Sequence, residues 1–167
     1  QFWQSGELDD TLLAAQKFLI NNCGDPFTDS ASYQMHSKEF EREVLFEMAR
    51  LWEMPEEETW GYVTTGGTEG NIWSLFLARE LHPDGILYFS DQAHYSVPKA
   101  ARMLRMELKV VPSNAMGEID CEALKELLLE NAPHPAIISL NIGSTMRGAT
   151  DDIDLVIAAL TETGYSA

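Results

Sequence analysis

Four strand-sized apolar runs, each followed by a stretch with helical spacing, constrain the fold of this chain more than any other feature. The runs and the helical stretches alternate at 60–64, 70–81, 85–89, 97–105, 108–111, 121–130, 136–142 and 153–163. Asp120 and Asp152 directly precede the last two helical stretches, where an aspartate side chain accepts hydrogen bonds from free N–H groups. This βα order predicts an α/β fold, with a mainly parallel sheet and helices on both faces. Such sheets bind ligands at the carboxyl ends of their strands, so function is expected in the loops that follow the strands.

Residues 1–55 follow a different pattern and are predicted to form an N-terminal helical segment. A short helix is predicted at 12–20, and the turn-forming residues at 21–26 end it. A longer amphipathic helix is predicted from Ser37, its expected N-cap, to a point before Pro55. Its apolar stripe is expected to pack in the core. The stripe consists of Phe40, Val44, Leu45, Met48, Leu51 and Trp52.

The charge balance argues against two classes of partner. The chain has 11 Lys and Arg residues against 27 Asp and Glu residues, which gives a net charge of −16. This charge repels the phosphate backbone of nucleic acids and an anionic membrane surface. We therefore expect neither nucleic acid nor a membrane as a partner.

Several further features indicate a cytoplasmic protein. The two cysteines, Cys23 and Cys121, are too few for a disulfide framework. No apolar run approaches the roughly 18 residues of a membrane span, and the first residues do not resemble a targeting signal. Because the sequence lacks an initiator Met and stops directly after a helical pattern, we expect that both ends are truncated.

The segment 64–71, TTGGTEGN, connects a predicted strand to a predicted helix and is the strongest candidate for a binding site. Glycines let an anion approach the backbone, the free N–H groups of the first helical turn point at it, and the helix dipole favours its charge. Gly66, Gly67 and Thr68 are therefore candidate phosphate-binding residues. The spacing matches neither the dinucleotide fingerprint nor the P-loop, so a tight turn without a ligand is the alternative.

His94 follows the next predicted strand and is expected to face the same crevice. Its imidazole could stack on an aromatic ligand or act as an acid or a base, and a structural role is the alternative. The segment 141–152 follows the last predicted strand, and its hydroxyl groups could hold the polar edge of a cofactor. Helix capping explains Asp151 and Asp152 in that segment. The histidines have no metal-ligand spacing and no G-x-S-x-G motif is present, so we expect neither a metal site nor serine-hydrolase chemistry.

Together these segments resemble the group II pyridoxal-phosphate-dependent amino-acid decarboxylases, especially the branch that holds plant serine decarboxylases and bacterial histidine decarboxylases. The resemblance runs from about residue 18 to residue 165. The motifs that carry it are INNCGDPF at 20–27, WGYVT at 60–64, GGTEGN at 66–71, PDG at 83–85, HYSV at 94–97, GEID at 117–120 and NIG at 141–143.

The resemblance implies the fold-type-I architecture, with a seven-stranded, mainly parallel sheet in a large cofactor-binding domain. Residues 56–167 would form the first part of that domain. The resemblance also implies pyridoxal 5'-phosphate as the cofactor, an amino acid as the small-molecule substrate, and a homodimer with active sites at the subunit interface.

The same resemblance assigns roles to individual residues. The backbone of Gly66, Gly67 and Thr68 would hold the cofactor phosphate. His94 would stack on the pyridine ring and take part in catalysis, and Thr145 would lie near the polar substituents of the ring. Ser144, which precedes Thr145, departs from the family pattern of two threonines after that glycine. Because serine keeps the hydroxyl group, we expect little change in function.

A second departure concerns the residues that complete a decarboxylase site. In this family, an aspartate that pairs with the pyridine nitrogen and the lysine that binds the cofactor both come downstream of residue 167. None of the five lysines lies in such a context, and Lys99, close to His94 in sequence, falls inside a predicted helix. We therefore predict a carboxy-lyase of which this chain alone is inactive.

The substrate prediction depends on the segments 24–27 and 33–37, which look more like the plant serine form of the family. In the bacterial histidine form an asparagine tends to replace His36. His36 is therefore a candidate substrate-pocket residue, and an ordinary residue of the N-terminal segment is the alternative. We predict decarboxylation of L-serine to ethanolamine, with L-histidine to histamine as the alternative. Other open alternatives are a different fold-type-I enzyme, such as an aminotransferase or a desulfurase, a non-catalytic truncated protein, and a nucleotide-binding α/β domain.

Overall fold

The computed structural model describes residues 10, 14, 24–28 and 36–166. The chain divides into two compact units, Gln1–Val63 and Thr64–Ala167. The first unit contains α1 (Lys38–Leu51) and a short 3-10 helix (Glu56–Glu58). The predicted helix at 12–20 lies outside the described residues apart from Ala14.

The two ends of α1 are formed by backbone geometry. Ser37 makes no side-chain capping bond, because its φ of −104° and ψ of 14° lie outside the extended region that a capping residue adopts. The prediction of Ser37 as a side-chain cap is therefore wrong. At the other end, Glu53 has a φ of 56° and the Met54 N–H donates to the Ala49 carbonyl at 2.9 Å. This left-handed turn ends the helix before Pro55, as predicted.

Most of the apolar stripe of α1 is exposed within this chain, so the prediction that it packs in the core is wrong here. Phe40, Leu51 and Trp52 are 73%, 65% and 67% exposed, whereas Ala49 is buried. The described residues of the first unit contain no strand and therefore no sheet that could cover the stripe.

A three-stranded parallel sheet forms the centre of the second unit. Its strands are β1 (Ile86–Ser90), β2 (Glu107–Val111) and β3 (Ala136–Ser139), in the order β2-β1-β3. Ile86 lies opposite Glu107 on one side and opposite Ala136 on the other. The carboxyl ends of the three strands therefore meet at one edge of the sheet.

Four helices accompany this sheet, and the side chains of β1 alternate between two cores. The helices are α2 (Gly67–Leu81), α3 (Ser96–Leu104), α4 (Cys121–Glu130) and α5 (Ile153–Glu162). Ile86 and Tyr88 pack with α4 and α5, and Leu87 and Phe89 pack with α2 and α3. Each fully buried apolar side chain contributes roughly 1.5–3 kcal/mol. The predicted α/β architecture is confirmed.

Aspartate caps begin α4 and α5 as predicted. The Oδ1 atom of Asp120 accepts hydrogen bonds from the N–H groups of Glu122 and Ala123. The Oδ1 atom of Asp152 accepts hydrogen bonds from the N–H groups of Asp154 and Leu155. A cap of this kind contributes about 1 kcal/mol. No helix in the described part of the chain is both long and apolar enough to cross a membrane.

Three predictions for residues 56–167 differ from the structure by more than one residue. The segment 60–64 forms no strand, because its backbone pairs with no neighbouring strand, and the Val63 N–H donates to the Glu41 carboxylate at 2.8 Å. The next helix begins at Gly67, three residues earlier than predicted, because the N–H groups of Glu69 and Gly70 already donate to the Gly66 carbonyl. β3 ends at Ser139, since Ile142 pairs instead with Thr150 across a loop.

Tyr88 carries the one buried side-chain polar atom without a hydrogen-bond partner that is found among the described residues. Its hydroxyl lies inside the core beneath α4 and α5. Burial, and then the neighbouring Tyr165, Glu107 and Glu130, raise the pKa of Tyr88 to about 12. The folded chain therefore holds the phenolic proton more tightly than the unfolded chain does.

We expect Tyr88→Phe to leave the free energy of unfolding unchanged or to raise it by about 1 kcal/mol, because the substitution removes an unpaired buried hydroxyl. The raised pKa adds a pH signature. In the wild type, stability falls as pH rises from about 10 to about 12, because the unfolded tyrosine loses its proton first. Urea unfolding at several alkaline pH values should show a shallower decline for Tyr88→Phe. Equal slopes would contradict the assignment.

Candidate active site

A cavity of about 140 Å³ opens at the carboxyl edge of the sheet, within the second unit. The loop that follows β3 contributes most of its wall, and the loop after β1, the end of β3, α2 and α3 contribute one residue each. The described lining residues are Asn71, His94, Val97, Ser139, Leu140, Asn141, Ile142, Gly143, Ser144 and Thr145. The structure therefore brings together His94 and Thr145, two residues that the sequence singles out.

Gly66, Gly67 and Thr68 lie at the exposed start of α2 and are not among the residues that line this cavity. Asn71, which does line it, follows Gly67 by about one helical turn, roughly 6 Å along the axis. Within the described chain, the N–H groups of Gly67 and Thr68 have no acceptor. These free donors at a helix N-terminus favour an anion.

The carboxylate of Glu69 shapes the entry to this helix. One of its oxygens accepts the Thr65 N–H at 2.7 Å and the Thr65 hydroxyl at 2.6 Å. The Thr64 hydroxyl donates to the Gly66 carbonyl, which also accepts the N–H groups of Glu69 and Gly70. The contact of the Glu69 side chain with Thr65, four residues earlier, resembles a capping box and leaves the N–H groups of Gly67 and Thr68 free.

Nothing inside the described chain requires glycine at positions 66 and 67. Gly66 has an extended backbone with a φ of 162°, and Gly67 is the first helical residue. A Cβ atom built on either residue meets nothing within 4 Å. Glycine here therefore leaves open space above the free N–H groups, and this space fits a group that approaches the backbone closely.

His94 lies in the loop between β1 and α3, and its ring is half-buried. Its Nδ1 atom is 2.7 Å from the Ser96 hydroxyl oxygen and accepts the Ser96 N–H at 3.2 Å. The adjacent Tyr95 ring is 4.2 Å away at an angle of 39°. The exposed Lys99 ammonium lies 4.6 Å from the centre of that Tyr95 ring, and Lys99 is not a lining residue of the cavity.

The loops after β1 and β2 are joined by a carboxylate that sequence reasoning left unassigned. Asp91 directly follows β1, and its N–H donates to the Val111 carbonyl at 3.0 Å. A hydrogen bond from the Ser113 side chain is the largest of the effects that lower the pKa of Asp91. Asp91 therefore remains a carboxylate at neutral pH and ties the ends of two strands together.

Asp151 anchors the loop that follows β3. Its buried carboxylate accepts the Asn141 N–H at 2.6 Å, the Asn141 side-chain N–H at 3.1 Å and the Ile119 N–H at 2.7 Å. Capping was predicted for both aspartates here, and it is correct for Asp152 and wrong for Asp151. The Asp152 carboxylate accepts the N–H groups at the start of α5, so the Asp151 carboxylate is not needed there and turns inward. The presence of two adjacent aspartates before one helix was the sequence feature that could have indicated this second role.

Ser144 and Thr145 are used differently. Ser144 is buried, and its hydroxyl oxygen accepts the Ala149 N–H at 3.1 Å, so this side chain stabilises its own loop. Thr145 is exposed at the cavity wall. The Arg147 guanidinium reaches from this loop to the Ala115 carbonyl at 3.1 Å.

His36 belongs to the other compact unit, where it is exposed two residues before α1. The binding and catalytic roles assigned to these residues stay predictions.

Comparisons with known proteins give a consistent result. Residues 12–166 match the model of the pyridoxal-dependent decarboxylase conserved domain. The chain is 53% identical over 150 residues to serine decarboxylase 1 of Oryza sativa subsp. japonica, covering 90% of this chain and 31% of that protein. It is 52% identical over 157 residues to the histidine decarboxylase of Solanum lycopersicum, covering 93% of this chain and 38% of that protein. The chain thus spans about a third of the length of these curated relatives.

A solved structure shares the fold. The L-methionine decarboxylase of Streptomyces sp. 590, in complex with 3-methylthiopropylamine, superposes with a TM-score of 0.83 at 29% sequence identity. The match covers 95% of this chain and 42% of that structure. The fold-type-I architecture that the sequence predicts is confirmed for the part of the domain that this chain spans.

We expect Gly67→Ala to weaken the binding of pyridoxal phosphate about tenfold, because the added methyl group occupies the open space above the free N–H groups. Stability should be unchanged or slightly raised, since alanine favours a helix over glycine by about 1 kcal/mol. Fluorescence titration measures the affinity and urea unfolding measures the stability. Gly70→Ala is the matched control, because the Gly70 N–H is already bonded to the Gly66 carbonyl. Equal affinities of the two variants would contradict the phosphate site.

We expect Asp151→Asn to lower the free energy of unfolding by about 1–3 kcal/mol, because the amide cannot accept all of the N–H groups that the carboxylate accepts. Asp152→Asn is the neighbouring control. Asparagine caps a helix about as well as aspartate, so this variant should lose little stability. Urea unfolding compares the two variants, and a similar loss in both would mean that Asp151 does not anchor the loop.

Proposed function

The chain belongs to the pyridoxal-dependent decarboxylase family, and we propose that the protein removes the α-carboxyl group of an L-amino acid as carbon dioxide, with pyridoxal 5'-phosphate as cofactor. The observation that carries this proposal is the convergence of His94 and Thr145 on one cavity at the carboxyl edge of a parallel sheet. Because this chain is about a third of the length of its relatives, the activity is a property of the whole protein.

The residues present fit the cofactor. Gly66, Gly67 and Thr68 would hold its phosphate through the free N–H groups at the start of α2, where neither conformation nor packing requires glycine. Pyridoxal phosphate, when bound, supplies an electron-accepting ring for the electrons that the departing carboxyl group leaves behind. His94 would lie against that ring, and the Thr145 hydroxyl would meet its polar edge.

The remaining work of this part of the chain is to position these groups. The buried Asp151 carboxylate fixes the loop that carries Thr145, and Ser144 closes that loop through the Ala149 N–H. Reacting groups held in a fixed arrangement lose less entropy when they reach the transition state. A loop held by buried hydrogen bonds therefore suits a catalytic wall better than a freely moving one.

The covalent anchor of the cofactor is proposed to lie in the rest of the protein. Lys109 pairs with Glu107, and Lys125 pairs with Glu122 and Glu162. Lys99 is exposed beside the Tyr95 ring. None of these three lysines is among the described residues that line the cavity. We infer that a lysine outside this chain completes the site, and that an aspartate there pairs with the ring nitrogen.

L-serine is the proposed substrate and ethanolamine the proposed product. The similarity to a plant serine decarboxylase supports this choice, as does the sequence around His36, which is a candidate substrate-pocket residue. L-histidine is the second candidate, because the histidine decarboxylase of Solanum lycopersicum is nearly as similar, at 52% identity. A cytoplasmic homodimer is proposed for the whole protein, and the low cysteine content and strong net negative charge support a soluble, reducing setting.

The test is release of carbon dioxide from carboxyl-labelled L-serine and L-histidine by the full-length protein loaded with pyridoxal phosphate. We expect L-serine to have the higher kcat/KM and His94→Gln to reduce kcat at least about tenfold, since proton transfer by a positioned side chain typically contributes 10²–10⁴-fold. A preference for L-histidine would select the second candidate. Transfer of the amino group without carbon dioxide would instead indicate an aminotransferase, and a protein that binds no cofactor would contradict the proposal.

A further inference from the structure

The hydroxyl group of Ser96 connects two other side chains through hydrogen bonds. It is the first residue of α3 and its side chain is fully buried. Its oxygen lies 2.7 Å from the Asn71 side-chain nitrogen and 2.7 Å from His94 Nδ1. Because α2 carries Asn71, the hydroxyl joins the helix that begins at the phosphate-binding glycines to the loop that carries the imidazole.

The direction of these hydrogen bonds follows from the chemistry of the groups. An amide nitrogen only donates, so the Ser96 oxygen accepts at its contact with Asn71. The Ser96 N–H also only donates, and it points at His94 Nδ1 at 3.2 Å, so it favours a lone pair on that nitrogen without being sufficient by itself to fix the tautomer. The single hydroxyl proton of Ser96 is then free to point at the same nitrogen. The chain runs from Asn71 to Ser96 to His94 without conflict.

We propose that Asn71 and Ser96 are positioning residues that hold His94 as the tautomer with its proton on Nε2, so that the ring presents a hydrogen-bond donor to the cavity. A neutral imidazole carries one ring proton, and two donors at Nδ1 exclude it from that nitrogen. No described residue bonds to Nε2, which leaves this atom for a ligand. The inference deepens the proposed function, since it concerns the residue assigned to the ring of the cofactor.

The polarity of this chain of hydrogen bonds makes a specific substitution informative. Asn71→Asp replaces the donor by an acceptor of nearly the same shape. The Ser96 hydroxyl would then donate to the carboxylate, and its oxygen would be left to accept from a protonated Nδ1. Ser96→Ala removes the connection altogether and leaves only the backbone N–H to select the tautomer.

The experiment is NMR of the full-length protein labelled with ¹⁵N in histidine, recorded without cofactor, so that its result does not depend on the proposed reaction. His94→Gln identifies the His94 signals by their loss. We expect the wild type to show protonated Nε2 and unprotonated Nδ1, Ser96→Ala to show a mixture of tautomers, and Asn71→Asp to move the population toward Nδ1–H. Ser74→Ala is the matched control, because this exposed hydroxyl on α2 donates only to the Gly70 carbonyl.

Two results would overturn the proposal. One is a wild-type His94 with its proton on Nδ1 or shared between the two nitrogens. The other is a tautomer that stays the same in both Ser96→Ala and Asn71→Asp. If Ser96→Ala fails to fold, the wild type and Asn71→Asp decide the matter. A failure of the decarboxylation test with the expected tautomers would reject the proposed function and leave the positioning role intact.

Discussion

Burial of β1 on both of its faces is the constraint on which the second unit depends. Its five residues are all buried, and they alternate between a core with α4 and α5 and a core with α2 and α3. A strand covered on both faces cannot shift its register by one residue without exchanging its two sets of side chains. The register with β2 and β3 is thereby fixed, and it brings the loops after β1 and β3 to one edge of the sheet.

At that edge, buried polar groups determine the shape of the cavity. Asp151 and Ser96 are both buried. Asp151 forms hydrogen bonds to the loop that carries Thr145, and Ser96 forms a hydrogen bond to His94. A buried polar group without its partner costs far more than an exposed one, so each has essentially one acceptable arrangement. The apolar core thus positions the loops, and a few buried polar side chains position the groups within them.

Features decided within a few residues could be predicted from the sequence. The caps Asp120 and Asp152, the order of strands and helices and the loop position of His94 are of this kind. Features decided by distant partners could not. The segment 60–64 has strand-like composition but pairs with no neighbouring strand, and the stripe of α1 meets no covering layer in the described chain. Ser96 gained a role only because α2 packs against α3 and brings Asn71 to it.

The anchoring of the loop after β3 has a consequence for the order of folding. The bond from the Ile119 N–H to Asp151 and the bond from Arg147 to the Ala115 carbonyl each join residues 32 positions apart. Contacts of such sequence separation form only after the entropy of closing a long loop has been overcome. The helices and their caps are local, so we expect them to form early and the cavity wall to close late. A nascent chain is therefore compact before it is competent to hold a ligand.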